Sequence, residues 1–424
     1  FFGPCCTPRH MLNSSVGLLA ASAAYCCFYG EWLSYDKILT GPLRLQIGVA
    51  IFVVLLAYNI VSLLFGDPLA THKTFLKTLG TQEQKRGIEV DQWIEGYNEM
   101  HNNEESDYMK KGDKAGVQER NSGYAKLVNA YYELATLFYE WGWGQCFHFA
   151  TLKPTESFIE SIRRHEYYLA SKLGVKRDQK VLDCGCGVGG PGRNIARFTG
   201  ADVTGITLNE YQVQRGNTLA KEQGIDHLYR SVQGDFMKLP FEDRHFDGVF
   251  AIEATCHAPD RVGVYSEILR VLKPGAIFAS YEWCLTDLYE PENEEHRFIK
   301  KKIEEGDGLP DIATTREVDD ALKAAGFELI ETEDVVHYLQ KGDIPWYIPM
   351  TPSWKFWTQR FQFTPIGLAV TPVMLRVLEL LRLAPAGTCK VQKMLQQAAI
   401  GLAKGGENGT FTPMYLVVAR KPLR

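Results

Sequence analysis

Short apolar strands alternate with amphipathic helices from Lys180 onward, and this alternation constrains the fold more than any other feature of the chain. Strands that alternate with helices in sequence lie parallel in one sheet, with the helices on both of its faces. The sequence therefore predicts an α/β fold with a doubly wound, mostly parallel, seven-stranded sheet. The strands are predicted at 181–183, 202–206, 230–233, 246–252, 276–281, 327–336 and 414–420, and helices at 192–198, 210–222, 262–272 and 315–325.

Two further helices are predicted before the first strand. Tyr124–Tyr139 has apolar residues at helical spacing, and Thr155–Leu173 has Thr155 as its N-cap and is closed by a glycine. About seventy residues separate the last two strands, and because both strands belong to one sheet, this insertion should fold over one edge as a helical cap. The chain thus divides into residues 1–66, a connector at 67–123, a core at 124–337 and a C-terminal region at 338–424.

The first of these segments contains two stretches without charged side chains, residues 11–30 and 45–66. Within the second, Ile47–Phe65 is long enough to cross a hydrocarbon core of roughly 30 Å as a helix, and a buried core helix is the alternative. Basic residues follow this stretch, and such residues favour the cytosolic side of a membrane. We therefore expect 1–66 to be a membrane anchor with one or two transmembrane helices and the rest of the chain to face the cytosol. Since the first residue is Phe1 rather than Met, we also expect the chain to begin inside a longer precursor.

Composition excludes several classes of protein. Hydrophobic residues make up 45% of the chain and charged residues 23%, which is typical of a globular protein. The net charge of −5 gives no basic surface for a nucleic acid. Cys184 and Cys186 stand among glycines without a second Cys/His pair at metal-ligand spacing, so we expect reduced thiols and no metal site.

A glycine-rich turn, LDCGCGVGG at 182–190, follows the first strand of the alternation. The spacing of Gly185, Gly187 and Gly190 also fits a dinucleotide fingerprint, so a nicotinamide cofactor is a rival interpretation. Asp183 argues against it, because a carboxylate at the end of the strand would repel a pyrophosphate and attract the ammonium of a methionyl group. Glycines would let the methionyl carboxylate approach backbone N–H groups.

The next two strands carry matching signals. The second strand ends at Thr207 without an acid at its tip, and Asn209 and Gln212 offer amides to ribose hydroxyls. Asp235 follows the third strand, where it would accept from the exocyclic amine of adenine while Phe236 packs on the ring. Together these features favour S-adenosylmethionine over a dinucleotide. The predicted cofactor residues are Asp183, Gly185, Cys186, Gly187, Gly189, Gly190, Thr207, Asn209, Gln212, Asp235 and Phe236.

The order of these features over residues 165–285 resembles the class I, Rossmann-like, S-adenosylmethionine-dependent methyltransferases. A closer resemblance, to the sterol C-24 methyltransferases, extends over about residues 120–424. It rests on YEWGWGQCFHF (139–149), the glycine-rich turn, IEATCHAP (252–259), YEW (281–283) and, in the insertion, PWYIP (345–349), LAP (383–385) and FTPM (411–414). The two N-terminal apolar stretches are not part of the general pattern of that family.

This resemblance implies methyl transfer to C-24 of a Δ24 sterol through a C-25 carbocation, a hydride shift and loss of a proton. Such a site must be apolar and must offer aromatic faces and one base. Tyr139, Trp141, Trp143, Phe147 and Phe149 would provide the faces, and a packed aromatic core is the alternative for them. The core segment would then include helices that bind the sterol, and 338–424 would be the sterol methyltransferase C-terminal region.

The charged groups of this segment and of the strand ends are the candidates for chemistry. Glu140, expected among the aromatic rings with a perturbed pKa, would pair with the sterol 3-hydroxyl or stabilise the cation. His257 is our first choice for the base and Glu253 the second, with a structural histidine as the alternative. Glu166 could reach the cofactor or form a surface salt bridge, and Glu282 with Trp283 should lie on the sterol side.

The predicted function is therefore that of a membrane-bound sterol 24-C-methyltransferase, with the endoplasmic reticulum as its location. A methyltransferase for another prenyl-type lipid, such as a tocopherol or a quinone, remains open, as does a sterol-binding protein without turnover. The partners that this function implies are a Δ24 sterol and the lipid bilayer. The sequence leaves a homo-oligomer open and does not distinguish among the possible acceptor sterols.

Overall fold

The structure, a computed structural model, describes residues 114–351, 365–380 and 387–423, which belong to one unit of the chain, Leu76–Arg424. The predicted membrane anchor, 1–66, and most of the connector lie outside the described residues. The strands are β1 (Lys180–Cys184), β2 (Asp202–Thr207), β3 (Tyr229–Gln233), β4 (Phe246–Ile252), β5 (Leu272–Leu285), β6 (Glu328–Asp334) and β7 (Phe411–Arg420). The helices are α1 (Lys114–Ser122), α2 (Tyr124–Gly142), α3 (Phe158–Leu173), α4 (Gly190–Thr199), α5 (Glu210–Glu222), α6 (Arg261–Val271), α7 (Glu294–Asp307), α8 (Thr315–Ala325), α9 (Pro365–Leu380) and α10 (Thr388–Glu407).

All seven strands form one sheet in the order β3-β2-β1-β4-β5-β7-β6. The pairings among β1 to β5 are parallel, whereas β7 runs antiparallel to both of its neighbours, β5 and β6. Helices cover both faces, so adjacent residues of β1 enter different layers: Val181 packs into one and Leu182 into the other. The predicted seven-stranded, mostly parallel α/β fold is confirmed.

The start of α3 corrects one prediction. Its N-cap is Ser157, not Thr155. The Ser157 side chain accepts from the backbone N–H of Glu160, whose carboxylate accepts in return from the N–H of Ser157 at 2.8 Å. This reciprocal capping needs an acid three residues after the cap, and the third residue after Thr155 is Phe158.

A helix that the sequence analysis did not assign, α7, lies between β5 and α8. Asn293 caps its N-terminus, and Gly308, in the left-handed conformation at φ 67°, caps its C-terminus. Its buried apolar residues include Ile299 and Ile303, four positions apart, but charged residues surround them in the sequence and dilute the pattern. The last residue of α7, Asp307, is buried.

The insertion between β6 and β7 contains α9 and α10. Helix α10 packs against α7 and also contacts α2, α9 and β7. Residues 352–364 and 381–386 of this insertion lie outside the described part. The described helices of the insertion thus form the expected cap, which covers a cavity whose other walls come from α2, α7 and the ends of β4 and β5.

Candidate active site

The glycine-rich turn connects β1 to α4 and is held by its own backbone. The N–H groups of Gly185 and Cys186 both donate to the carbonyl of Ile206 in β2, each at 3.0 Å. Gly185 has a φ of +89°, and a Cβ there would lie 2.4 Å from the Cβ of Ala254, just after β4. A side chain at this position is therefore excluded both by the backbone conformation and by the neighbouring loop.

A cavity opens beside this turn, and we call it the glycine-turn cavity. Its lining includes the end of β2, part of α2, the loop after β4 and the segment YEWGWGQCFHF (139–149), which we call the aromatic segment. Of the predicted cofactor residues, those that line it are Gly185, Cys186, Gly187, Thr207, Asn209, Gln212 and Phe236.

The last two glycines of the turn, Gly189 and Gly190, do not line this cavity, and their contact with the cofactor stays a prediction. A Cβ on Gly189 would lie 2.1 Å from the hydroxyl of Tyr229, and a Cβ on Gly190 would lie 2.0 Å from the carbonyl oxygen of Gln145. These glycines let β3 and the aromatic segment pack against α4.

The polar groups at the end of β2 already have partners. The Thr207 hydroxyl donates to Gln212 at 2.7 Å, and the Gln212 amide donates to Thr136 of α2 at 3.1 Å. The Asn209 amide donates to Asn129 of α2 at 3.0 Å. These bonds attach α2 to the rim of the cavity, so the two amides predicted to bind ribose also position this helix.

Asp183 lies behind the turn rather than in the lining of the cavity. It is 2% exposed, and its Oδ2 has no hydrogen-bond partner among the described residues. Burial, reinforced by the nearby carboxylate of Glu166, raises the pKa of Asp183 to about 8. A buried acid with an unpartnered oxygen favours a cationic ligand. This chemistry suits the predicted role of Asp183, which is to bind the methionyl ammonium, and that role stays a prediction.

Asp235 and Phe236 were predicted to form the adenine end, and they are placed differently. Phe236 lines the cavity, and its ring stacks at 6.4 Å on Tyr124, a residue that the sequence analysis did not single out. Asp235 does not line the cavity; its Oδ1 accepts from the Tyr124 hydroxyl and from the N–H of Met237. Tyr124, the first residue of α2, therefore occupies one oxygen of the carboxylate that we expected to bind adenine.

A second, larger cavity lies under the cap, and we call it the aromatic cavity; together with the part open to solvent, its space is about 1170 Å³. The predicted aromatic residues Tyr139, Trp143, Phe147, Phe149 and Trp283 line it. The rings contact one another: Phe149 lies 5.3 Å from Trp143 and 5.9 Å from Trp283, centroid to centroid. The side chain of Trp141 lies outside the described part of the molecule. The opposite wall is formed by α9 and α10.

Glu140 does not lie among these rings, which corrects the prediction. Its carboxylate accepts from the guanidinium of Arg215 on α5 at 2.9 Å and also from the Tyr211 hydroxyl. Successive residues of a helix point about 100° apart. Tyr139 therefore faces the aromatic cavity while Glu140 faces α5, where a cation balances its charge.

Two more predicted acids, Glu166 and Glu282, are buried but line neither cavity. Glu166 is 0% exposed and bonds His148 Nε2 at 3.1 Å, so the surface salt bridge considered for it is wrong. Glu282 accepts from the hydroxyl of Thr255, and burial raises its pKa to about 7. Glu282 thus bonds the loop after β4 and does not line the aromatic cavity, and its place on the sterol side stays a prediction.

One group of potential metal ligands occurs among the described residues. Polar atoms of Cys146, His148 and Glu166 lie within 4.8 Å of one another. They are already joined to each other and to Asn194, whose amide donates to Glu166 at 2.8 Å and to the Cys146 sulfur at 3.6 Å. This network fastens the aromatic segment to α3 and α4 without needing an ion.

Glu253, at the end of β4, lines both cavities. Its Oε1 accepts from the backbone N–H of Phe149 at 2.8 Å and its Oε2 from the Trp283 indole at 2.7 Å. Its φ is +54°, a strained conformation for a residue with a side chain, which these bonds maintain. Burial raises the pKa of Glu253 to about 8, although the hydrogen bonds from Phe149 and Trp283 act to lower it.

His257 also lines both cavities, and its two ring nitrogens are engaged. Nδ1 lies 3.3 Å from the carbonyl oxygen of Gly308, and Nε2 lies 3.0 Å from the hydroxyl of Tyr132. Burial lowers the pKa of His257 to about 4, so the ring is neutral at pH 7. Since a carbonyl only accepts, Nδ1 carries the proton and Nε2 accepts from Tyr132.

Asp307 is a lining residue of the aromatic cavity that sequence reasoning missed. Its Oδ1 lies 3.3 Å from the Tyr139 hydroxyl and 3.5 Å from the Tyr131 hydroxyl, and because these two hydroxyls also bond each other, one of them donates to the carboxylate. Burial raises its pKa to about 7. The signals that could have found it are the Asn293 and Gly308 caps, which place an acid at the end of an unassigned helix.

The two cavities meet at five residues, which we call the shared wall: Tyr132, Phe147, His148, Glu253 and His257. A ligand in the glycine-turn cavity and a ligand in the aromatic cavity would touch the same side chains. This arrangement suits transfer of a small group from a bound donor to a bound apolar acceptor.

Comparison with known proteins bears directly on this arrangement. A family model described as "Sterol methyltransferase C-terminal" matches residues 358–423, and one described as "Methyltransferase domain" matches residues 182–280. A cycloartenol-C-24-methyltransferase of Arabidopsis thaliana is 52% identical over 305 residues, which is 72% of this chain and 90% of that protein. The chain belongs to the sterol 24-C-methyltransferase family. The predicted S-adenosylmethionine-dependent methyltransferase is thereby confirmed, as is its cofactor.

Other relatives agree with this assignment. A sterol 24-C-methyltransferase of Kluyveromyces lactis is 46% identical over 318 residues, 74% of this chain and 85% of that protein. Among solved structures, a cyclopropane synthase from Mycobacterium tuberculosis superposes with a TM-score of 0.56 at 16% identity, covering 70% of this chain and 98% of that one. The latter likeness shows the fold alone. Within 114–351, 365–380 and 387–423, no helix combines the length and apolar character that crossing a membrane requires.

Proposed function

We propose that this enzyme transfers a methyl group to C-24 of a Δ24 sterol, with S-adenosylmethionine in the glycine-turn cavity and the sterol in the aromatic cavity. The observation that carries the proposal is the shared wall, because it brings the ends of both cavities against the same five side chains. The cavity under the cap is apolar and aromatic, as a long hydrocarbon substrate requires.

The lining of the glycine-turn cavity supports this position for the cofactor. Phe236 would offer a ring to the adenine, and Asn209 and Gln212, which line the cavity beyond the end of β2, would contact the ribose hydroxyls. Asp183 lies behind the turn with an unpartnered Oδ2, and a bound ammonium group, directly or through water, would favour its ionised form and make it the counter-charge. Bound there, S-adenosylmethionine supplies a methyl group on a sulfonium, an electrophile that needs no metal or general acid.

The sterol would enter the aromatic cavity with its side chain toward the shared wall and its rings toward α9 and α10. Leu368 and Leu402 line this outer part of the cavity. The C24–C25 alkene attacks the methyl carbon, a bond forms to C-24, and the electrons of the breaking carbon–sulfur bond remain on sulfur. The sterol is left with a cation at C-25.

A 1,2-hydride shift from C-24 to C-25 then moves the cation to C-24. Loss of a proton from the new methyl group yields the 24-methylene side chain and balances the charge. Trp143, Phe147 and Phe149 keep water away and offer π faces to the cation. His257 remains our choice for the base: because its Nε2 accepts from the Tyr132 hydroxyl, the proton from the methyl group would pass to the Tyr132 oxygen as the hydroxyl proton passes to Nε2. Glu253 orients the segment that carries Phe149.

We further propose that the enzyme is anchored to a membrane, that of the endoplasmic reticulum, with its catalytic region facing the cytosol. The support comes from sequence: the uncharged stretch Ile47–Phe65 and the basic residues after it. An apolar substrate is also found in the bilayer, so a membrane-bound enzyme would meet it there.

The direct test is incubation of the full chain with methyl-labelled S-adenosylmethionine and a panel of Δ24 sterols, followed by identification of the product. We expect labelled 24-methylene sterol from at least one member of the panel. The same assay with tocopherol and quinone precursors tests the alternative lipid substrates. Label in a precursor of those lipids and in none of the sterols would overturn the proposal, and sterol binding without any transfer would indicate a non-catalytic protein.

A further inference from the structure

Asp307 occupies an unusual electrostatic position at the end of α7. The carbonyl end of a helix carries partial negative charge and favours cations, yet the last residue here is an acid that is only 4% exposed. Its Oδ2 has no hydrogen-bond partner among the described residues. The described lining of the aromatic cavity includes no lysine and no arginine that would balance the carboxylate.

The two tyrosine hydroxyls favour the ionised form of this carboxylate. The hydroxyls of Tyr131 and Tyr139 both lie within 3.5 Å of Oδ1, and because they also bond each other, one donates to the carboxylate and the other to its neighbour. Hydrogen bonding from this pair opposes the effect of burial on the pKa of Asp307. Hydrogen bonds to the charged form favour it. With a pKa of about 7 the carboxyl is partly ionised at neutral pH, and a cation beside its unpartnered second oxygen would favour the ionised form further.

This cluster lies at the reactive end of the cavity rather than at its outer end. The Tyr139 ring packs at 5.3 Å from Phe147, a residue of the shared wall. Gly308, the residue after Asp307, accepts from His257 of the same wall. The carboxylate thus borders the region where the sterol side chain would meet the sulfonium.

We propose that Asp307 is the counter-charge of the carbocation, an anion held by Tyr131 and Tyr139 that stabilises positive charge at C-25 and C-24 of the sterol. The inference rests on the proposed function, because only methyl transfer to the side chain creates a cation there. A fixed charge in a water-excluded site stabilises a developing cation without having to reorganise during the reaction. Asp307 then contributes to turnover, whereas the binding of an uncharged sterol does not depend on it.

Two ligands separate these effects: a sterol with a protonated tertiary nitrogen in place of C-25, and a saturated sterol of the same shape without charge. A stable mimic of a cationic intermediate gains the interactions that the intermediate gains. We expect the wild-type enzyme to bind the ammonium sterol at least about 30-fold more tightly than the neutral one, and Asp307→Asn to remove most of this preference. The affinity for the neutral sterol should change less than about threefold, and kcat should fall about 100-fold at nearly constant KM.

Asp319→Asn is the matched control, since Asp319 accepts from a tyrosine hydroxyl, that of Tyr415 at 2.9 Å, but lines neither cavity. It should leave the preference for the ammonium sterol unchanged. If Asp307→Asn folded normally but lost affinity for the ammonium sterol and the neutral sterol equally, Asp307 would have a structural role and the inference would be overturned. So would a wild-type enzyme that methylates Δ24 sterols without preferring the ammonium ligand, a measurement that needs no variant. If the wild-type enzyme methylated none of the sterols, the proposed function itself would fail.

Discussion

The glycine-turn cavity and the aromatic cavity are built in different ways. The first is formed around one continuous turn, whose N–H groups bond the carbonyl of Ile206 in the next strand. The second takes its walls from segments that are far apart in sequence: α2, the aromatic segment, the end of α7 and the cap. Backbone geometry maintains one cavity, whereas long-range contacts between side chains maintain the other. Backbone changes should therefore damage the first, and changes of single polar groups the second.

The largest effect is expected from Gly185→Ala. The left-handed conformation costs about 1–2 kcal/mol for a residue with a Cβ, and overpacking adds about 1–3 kcal/mol, because that Cβ would lie 2.4 Å from Ala254. We expect a loss of about 2–5 kcal/mol in the free energy of unfolding, measured by denaturant titration, with weak binding of S-adenosylmethionine by calorimetry.

Gly174→Ala is its control. Gly174 has a φ of +69°, and nothing lies within 4 Å of an added Cβ. The alanine variant should therefore lose only the stability that the left-handed conformation costs, without a steric clash. The cofactor affinity of this variant should stay at the wild-type value. A comparable loss of cofactor binding in both glycine variants would mean that the close contact with Ala254 does not maintain the cavity.

An intermediate effect is expected from Glu253→Gln in the shared wall. Both oxygens of Glu253 accept, from Phe149 and from Trp283, and the NH₂ of an amide cannot accept from either donor. Loss of a hydrogen bond of this kind costs about 1.5–3 kcal/mol. We expect kcat/KM for the sterol to fall about 10- to 100-fold, with a much smaller change in cofactor affinity.

Glu331→Gln serves as the reference for this substitution, since Glu331 pairs with Lys172 and its side chain is 30% exposed. Its kinetics should match those of the wild type. Unchanged kinetics in Glu253→Gln as well would show that the aromatic cavity does not depend on this carboxylate.

The smallest effect is expected from Glu140→Gln. Its partner Arg215 lies on α5, outside the aromatic cavity, and partly exposed ion pairs contribute about 0.2–1 kcal/mol. We expect a loss of stability within this range, and kcat within about threefold of the wild type. Arg215→Gln should produce the same loss, and the double variant no additional one. A large fall in kcat with intact folding would show that Glu140 takes part in the reaction and would contradict its position outside the aromatic cavity.

The fold and the glycine-turn cavity could be predicted because their signals are local. Strand–helix alternation and a glycine turn are both recognisable from short runs of consecutive residues. The first and last residues of β4, α5 and α8 were predicted correctly. Ser157 was missed as the cap of α3 because Thr155, two residues earlier, was taken as the cap, and the reciprocal bond with Glu160 that identifies Ser157 was not considered. Helix α7 was missed because charged residues hide its apolar positions.

The roles of the acids could not be ranked from sequence in the same way. Glu140 is adjacent to Tyr139 in the chain, yet helical geometry turns the two side chains toward different neighbours. Asp307, more than 150 positions from Tyr139, lies within hydrogen-bond distance of it, because α7 packs against α10 and α10 also contacts α2, the helix of Tyr139. Whether an acid is paired, buried or exposed to a cavity depends on which helix covers it.

The sequence by itself determined the sheet, the glycine turn, the cofactor and the family, since each follows from the order of residues along a continuous segment. Only the tertiary structure decided which side chains form the shared wall and which carboxylates face the aromatic cavity. The physical reason is that a backbone turn is specified by the conformational limits of its own residues. The environment of a buried charge is specified by neighbours that folding brings from distant parts of the chain.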